Sequence, residues 1–156
     1  FLEHKTLYDT SCEVPDEDYL IPFGQAAFTR EGSDITIVSM SSMVLRCNEV
    51  ADKLAAEGIH ADVIDLRTVS PIDEGAVLES VEVSGRLVIV DEANERCSMA
   101  SEISSIVAEK AFHSLRAPIA KVAAPHSPVP FAPSLEDIYV PTVERIEAAV
   151  RATLEA

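Results

Sequence analysis

Polar and charged side chains gather where apolar, strand-like segments of this chain end. Parallel sheets open to ligands at the carboxyl ends of their strands, so residues at those ends are the first candidates for binding or proton transfer. A polar crevice is one interpretation of these residues, and ordinary solvation of charged loops is the other. The residues concerned are Asp65, Arg67, Asp91, Glu92, Asn94, Arg96 and His126.

The adjacent carboxylates of Asp91 and Glu92 are of a type that serves acid–base catalysis or metal binding. Neighbouring residues at the end of a strand point to opposite sides, however. We therefore do not expect the two side chains to share one site.

The cysteines and histidines give no further site. Cys97 precedes a predicted helix, whose dipole lowers the pKa of a thiol, but no base is adjacent in sequence and packing is the alternative role. Cys47 lies on an apolar helix face and is expected in the core. The histidines share no metal-ligand spacing, and the isolated glycines form no phosphate-binding loop. The histidines are His4, His60, His113 and His126. We predict no catalytic, cofactor-binding or metal-binding residue in this chain.

Composition favours one acidic α/β domain. The 156 residues are 47% hydrophobic but only 5% aromatic, without Trp, which suits a core of Ala, Val, Ile and Leu around a parallel sheet. The net charge of −15 disfavours nucleic acid and anionic membranes and favours a basic protein partner, although an acidic surface also simply keeps a protein soluble. Three widely spaced cysteines fit a reducing compartment such as the cytoplasm. No apolar run reaches the roughly 20 residues of a membrane span.

The pattern of strand and helix signals predicts a three-layer α/β/α fold with a five-stranded, mostly parallel sheet. The first strand is expected to be antiparallel at the edge, because a turn at 31–33 would let it pair with the second. Residues 1–20 are interpreted as the tail of a preceding domain with its linker, and residues 21–156 as the domain itself. The predicted strands are 26–30, 34–39, 61–66, 86–90 and 119–123.

Four helices are predicted from their start signals. The first begins at Ser41 or Ser42, the second has Ser70 as N-cap and Pro71 at its first position, the third begins at Ser98, and the last begins at 141–142. Residues 91–96 are expected to be a loop. The prolines of 125–133 are expected to keep that segment extended.

Short motifs in a fixed order carry a family resemblance over essentially the whole chain. They resemble the transketolase C-terminal-type domain in the beta subunit of thiamine-diphosphate-dependent 2-oxo acid or acetoin dehydrogenases. Residues 94–99, 135–139 and His126 are more similar to the acetoin branch than to the pyruvate branch. The motifs are Phe1-Leu-Glu-His-Lys5, Tyr19-Leu-Ile-Pro-Phe-Gly24, Arg30-Glu-Gly32, Asp65-Leu-Arg-Thr68, Pro71-Ile-Asp73, Gly85-Arg86, Asp91-Glu-Ala93 and Ala117-Pro-Ile119.

The resemblance implies a role in a larger oxidoreductase. The parent enzyme would cleave a C–C bond next to a carbonyl and pass the two-carbon unit to a lipoyl group, using thiamine diphosphate and Mg²⁺ bound outside this chain. The domain itself would be non-catalytic. It would contact a second beta subunit, the alpha subunit and the small, basic subunit-binding module of the lipoyl-acyltransferase, with Leu154, Glu155 and Ala156 as the expected contact region.

Two alternatives remain open on the sequence. One is the same domain from a relative of transketolase or deoxyxylulose-phosphate synthase, which would carry its diphosphate-binding motif upstream on the same chain. The other is a free-standing α/β module that binds a small metabolite.

Overall fold

The computed structural model describes residues 2–156. Phe1, the first residue of the amino-terminal motif, lies outside the described residues. Short 3-10 turns occur at Lys5–Leu7 and Phe112–Ser114. The strands and helices are β1 (Ala27–Arg30), β2 (Ile35–Ser39), α1 (Met43–Ala55), β3 (Ala61–Asp65), α2 (Glu74–Ser84), β4 (Leu87–Asn94), α3 (Met99–Lys110), β5 (Ala120–Ala124), α4 (Pro133–Tyr139) and α5 (Val143–Glu155).

The five strands form one sheet in the order β1-β3-β2-β4-β5. β1 is antiparallel to β3, and the other neighbours are parallel. The predicted fold class is therefore confirmed, including the antiparallel first strand at the edge.

The expected pairing of the first two strands with each other is wrong. The backbone N–H groups of Ser33 and Asp34 donate to the carbonyl oxygen of His60, at 3.1 and 2.9 Å, so the turn is fastened to the start of β3. Every residue of β2 is buried, and such a strand is stable in the middle of a sheet. β1 exposes Phe28 and takes the edge.

Helices cover both faces of the sheet and divide the core in two. One apolar cluster packs α1 and α5 on the sheet and includes Cys47, Leu54 and Ile146. The other packs α2 and α3 on the opposite face and includes Val81 and Ile103. Cys47 is fully buried, which confirms its predicted place in the core. No helix among residues 2–156 combines the length and the apolar character that crossing a membrane requires.

The predicted start of the second helix is wrong. α2 begins at Glu74, and its N-cap is Asp73 rather than Ser70. One oxygen of the Asp73 carboxylate accepts from the N–H of Ala76 at 3.1 Å, and the other accepts from the N–H of Ala26 at 2.8 Å. A carboxylate that satisfies two backbone donors caps better than a free serine hydroxyl.

Two further predictions are corrected near β5. Residues 91–94 are not loop, because β4 runs on to Asn94, which pairs with Ala124 after an irregularity in register. Residues 125–132 have no regular secondary structure and bend at 126–127 and 131–132, and Pro133, predicted to be extended, instead opens the short helix α4. Proline is well tolerated in a first helical turn, and Tyr139 at the end of α4 is buried, which fixes the helix on the domain.

Candidate functional site at the carboxyl edge of the sheet

Three strand ends at one edge of the sheet turn through left-handed backbone. The residues are Ser41 after β2, Arg67 after β3 and Cys97 after β4, with φ of 56°, 54° and 54°. Non-glycine residues seldom adopt positive φ, and such strained positions concentrate at functional sites. Because β3, β2 and β4 are parallel neighbours, the three turns lie together at the end of the sheet where these strands finish, which we call its carboxyl edge.

Asp65 and Arg67 form a partly buried pair at the end of β3. One carboxylate oxygen of Asp65 accepts from the Arg67 N–H at 3.1 Å, and the Arg67 Nε lies 3.9 Å from the other oxygen. Burial raises the pKa of Asp65 in spite of these contacts, which act in the opposite direction. The ionised carboxyl therefore lies in a position that disfavours its charge.

Glu92 holds the amino-terminal segment against this edge. Its Oε2 accepts from the Ser42 hydroxyl at 2.9 Å and lies 3.2 Å from His4 Nε2. The other imidazole nitrogen of His4 is 2.7 Å from the Thr6 hydroxyl. Ser42 and His4 meet the same carboxylate oxygen rather than each other, so the arrangement fastens residues 4–6 and does not form a nucleophile–base pair.

Asp91 points the other way and supports α3. Its two carboxylate oxygens accept from the N–H of Ala93 at 2.9 Å and, weakly, from that of Ala100 at 3.4 Å. Ser98 occupies the predicted N-cap position, but its side chain makes no capping hydrogen bond. Asp91 therefore serves α3 while Glu92 serves the α1 side, and the prediction that they point to opposite sides is confirmed.

The remaining candidate residues do not converge. Arg96, Cys97 and His126 are exposed, and Asn94 is half-buried. His60 lies at the opposite edge, where its N–H donates to Asp34 at 2.7 Å. His113 has its ring against that of Phe112 at a centroid distance of 5.8 Å. Sequence reasoning named these residues individually, and the fold does not bring them into one site.

The same edge carries an apolar segment that sequence reasoning missed. Phe131 is fully exposed, and Val129, Leu135 and Ile138 are also exposed. Tyr139 is buried, and its hydroxyl donates to the Ser127 carbonyl oxygen at 2.8 Å. The signal in the sequence was Pro133 followed by apolar residues at 135, 138 and 139, a spacing that fits a short helix.

The described residues do not fit a diphosphate cofactor with its metal. Within residues 2–156 no three His, Cys, Asp or Glu side chains are grouped to hold a metal ion. The glycines are isolated in sequence and form no phosphate loop. We assign no step of cofactor chemistry to this chain. The described residues instead offer fixed polar contacts at the strand ends and exposed apolar side chains within 129–138, and protein interfaces use both features.

The fold is a three-layer α/β domain with helices on both faces of a mixed five-stranded sheet. The family model of the transketolase C-terminal domain matches residues 24–146. The chain belongs to this family, as the order of its motifs predicted.

Relatives of the chain are subunits of oxidoreductases. It is 53% identical over 155 residues to the acetoin:2,6-dichlorophenolindophenol oxidoreductase subunit beta of Cupriavidus necator, covering 99% of this chain and 46% of that protein. It is 39% identical over 156 residues to the pyruvate dehydrogenase E1 component subunit beta of Bacillus subtilis, covering 99% of this chain and 48% of that protein. The chain thus spans about half the length of the curated relatives it matches.

A solved structure supports the same assignment. The protein described as a split gene transketolase, inactive beta4 tetramer, superimposes with a TM-score of 0.77 at 29% identity, covering 92% of this chain and 46% of that chain. The domain is therefore homologous to part of the beta subunits of acetoin and pyruvate dehydrogenases. The division at residue 20 stays a prediction.

Proposed function

We propose that the chain is an assembly and docking domain of the beta subunit of a thiamine-diphosphate-dependent dehydrogenase of the acetoin type. The observation that carries this proposal is the identity of 53% to an acetoin oxidoreductase beta subunit over 99% of the chain, against 39% to a pyruvate dehydrogenase subunit. The matches to bacterial proteins and three free cysteines support a bacterial cytoplasmic location.

In this proposal the chemistry belongs to the parent enzyme. Thiamine diphosphate and Mg²⁺ would be bound outside the chain, where the cofactor supplies carbanion stabilisation for cleavage of a C–C bond next to a carbonyl. The domain would contribute by holding subunits together, with a second beta subunit, the alpha subunit and the lipoyl-acyltransferase as its partners.

Charge supports docking of a basic module. The chain carries a net charge of −15, which would steer the small, basic subunit-binding module of the acyltransferase and be screened by salt. Leu154, Glu155 and Ala156 stay our predicted contact region. Leu154 packs partly on the first core cluster, while Glu155 and Ala156 are exposed.

Calorimetric titration of the chain with the subunit-binding module of an acetoin-type acyltransferase tests the proposal. We expect saturable 1:1 or 1:2 binding that weakens as salt is raised. An unrelated protein of equal positive charge is the control and should give no saturable heat. Absence of saturable binding at low salt, or equal binding of the control, would contradict the docking role.

A second candidate is the corresponding domain of a transketolase, favoured by the structural likeness to the split gene transketolase subunit. A transketolase subunit has no lipoyl partner, so the same titration would show no binding. Transketolase activity on adding a separately purified complementary subunit would then support this alternative.

A further inference from the structure

The ends of four neighbouring strands are joined into one continuous edge. The Leu66 N–H, just after β3, donates to the Ser39 carbonyl oxygen at the end of β2 at 3.0 Å. The Ser39 hydroxyl donates to the Val90 carbonyl oxygen in β4 at 3.0 Å. The Glu95 N–H, just after β4, donates to the Ala124 carbonyl oxygen at the end of β5 at 3.2 Å. The carboxyl edge is therefore one hydrogen-bonded surface rather than four separate loops.

Side chains on the loops that leave this edge are exposed. Arg67 and Val69 follow β3, and Arg96 and Cys97 follow β4. Arg67 is paired with Asp65, whereas Arg96 forms no ion pair with any residue of 2–156. Arginine is enriched in protein interfaces, so this edge is suited to contact with a further folded unit.

The amino-terminal segment already lies on this edge. His4 Nε2 is 3.2 Å from Glu92 Oε2, and the same carboxylate oxygen accepts from the Ser42 hydroxyl at 2.9 Å. Residues 8–23 are exposed without exception and form no helix or strand, and a stretch of this length can extend over roughly 50 Å. The chain connection therefore permits many positions for residues 4–6, and their place at the carboxyl edge reflects the contact with Glu92.

About half of a related subunit lies outside this chain, since the chain spans about half the length of the curated relatives it matches. The family is described as the transketolase C-terminal domain. In such a subunit the other half would therefore precede this domain. Its connection would pass through residues 2–6 and so reach the domain at the carboxyl edge.

We propose that the carboxyl edge is the surface on which the preceding half of a beta subunit packs. The occupant is a folded unit of the same polypeptide, and the connection through residues 8–23 keeps the two halves at a high effective concentration. Strained backbone at Ser41, Arg67 and Cys97 is typical of surfaces with a role beyond folding. The inference rests on the part of the proposed function that makes this chain a domain of a beta subunit, and it does not depend on docking of an acyltransferase module.

The reactivity of Cys97 toward a thiol reagent tests the inference. The chain alone is compared with an intact subunit in which the other half of the Cupriavidus necator relative precedes residue 1, and both proteins carry Cys12→Ser. We expect Cys97 to react at least about tenfold more slowly in the intact subunit, because a covered thiol reacts only through local opening. Mass spectrometry of labelled peptides follows each cysteine separately.

Internal controls accompany this comparison. Cys47 is fully buried and should stay unlabelled in both proteins, which shows that the domain is folded. The amino ends of β4 and β5 lie at the opposite edge, where the Arg116 N–H donates to the Gly85 carbonyl oxygen at 2.7 Å. A thiol introduced there by Phe112→Cys, with Cys97→Ser, should react equally fast in both proteins. A cysteine at the matching position of the natural Cupriavidus necator subunit repeats the Cys97 comparison without a junction.

Three results would overturn the inference. Equal rates at Cys97 in the chain and in the intact subunit, with Cys47 unlabelled, would show that the other half does not cover this edge. Slow reaction at position 112 instead would place that half on the opposite edge. Slow reaction of Cys97 in the chain alone as its concentration rises would assign the edge to a second copy. The titration with the acyltransferase module decides the docking role separately from all three.

Discussion

The Tyr139 hydroxyl donates to the Ser127 carbonyl oxygen at 2.8 Å and so joins the end of α4 to the loop that follows β5. The ring of Tyr139 is buried, while the residues between the two partners are exposed except Pro130. One side chain therefore anchors a segment whose other apolar residues remain free to contact a partner.

Tyr139→Phe should lower the free energy of unfolding by roughly 0.5–1.5 kcal/mol, the usual net contribution of one hydrogen bond. The ring still fills its place, so packing is retained and only the bond is lost. Urea unfolding measures the change. Tyr19→Phe is the control, because Tyr19 is exposed and its substitution should leave stability unchanged. Equal stability of Tyr139→Phe and the wild type would mean that the bond does not hold the loop.

Local signals in the sequence were sufficient for the buried strands and the last helix. The β-branched run of β2 and the Pro141–Thr142 start of α5 were both predicted, and Thr142 caps α5 by accepting from the Arg145 N–H at 3.3 Å. Both signals lie within a few consecutive residues, although β2 itself is held by pairing with the distant strands β3 and β4. The fold class follows from their alternation.

Pairing and capping between distant residues escaped prediction for a physical reason. Asp73 caps α2 but also accepts from Ala26, and Ser42 donates to Glu92 instead of capping α1. Asp73 and Ser42 each bind a group that is distant in sequence. Capping rules that consider only neighbouring residues therefore assigned the N-cap of α2 to Ser70 and a capping hydrogen bond to Ser42. The strand-end rule predicted polar residues where β3 and β4 end, whereas the exposed apolar residues of α4 belong to a helix whose start was hidden among prolines.

Gly32→Ala should destabilise the domain by about 1–3 kcal/mol, the usual cost of overpacking. A Cβ at Gly32 would lie 2.3 Å from the backbone carbonyl carbon and oxygen of His60, and those atoms are fixed where the turn meets β3. The N–H of Gly32 also donates to Asp62 at 2.8 Å, a bond that a displaced turn would lose.

Gly75→Ala is the matched control for that change. Gly75 lies in the first turn of α2, and a Cβ there would meet only Asp73 Oδ1, at an ordinary 3.7 Å. This substitution should stabilise the domain by about 0.4–1 kcal/mol. Thermal and urea unfolding of both variants check the pair, and a Gly32→Ala variant as stable as the wild type would refute the close approach.

The three thiols should differ sharply in reactivity. Burial raises the pKa of Cys47 to about 12, so at pH 8 roughly one molecule in 10,000 carries its thiolate, and the side chain is inaccessible. Cys12 and Cys97 are exposed. A thiol-specific chromogenic reagent should label two cysteines in the native chain and three in denaturant. Rapid native labelling that persists in a Cys12→Ser/Cys97→Ser variant would show that Cys47 is reached.

Asp65→Asn should stabilise the domain at pH 7, by less than about 1 kcal/mol because the side chain is partly open to solvent. Burial raises the pKa of Asp65 above its ordinary value of 3.8, so the native state holds the proton more tightly than the unfolded chain does. The stability that this carboxyl contributes is therefore greatest below pH 3.8. It falls as the pH rises from 3.8 through the raised native pKa, and it stays reduced at neutral pH. The asparagine oxygen can still accept from Arg67 N–H, and it carries no charge to desolvate. Urea unfolding of both proteins between pH 3.5 and pH 7 should show an advantage of Asp65→Asn that shrinks toward acid, while Asp16→Asn, at an exposed position, should show none. A variant less stable than the wild type at pH 7 would mean that attraction to Arg67 outweighs the burial of the carboxylate.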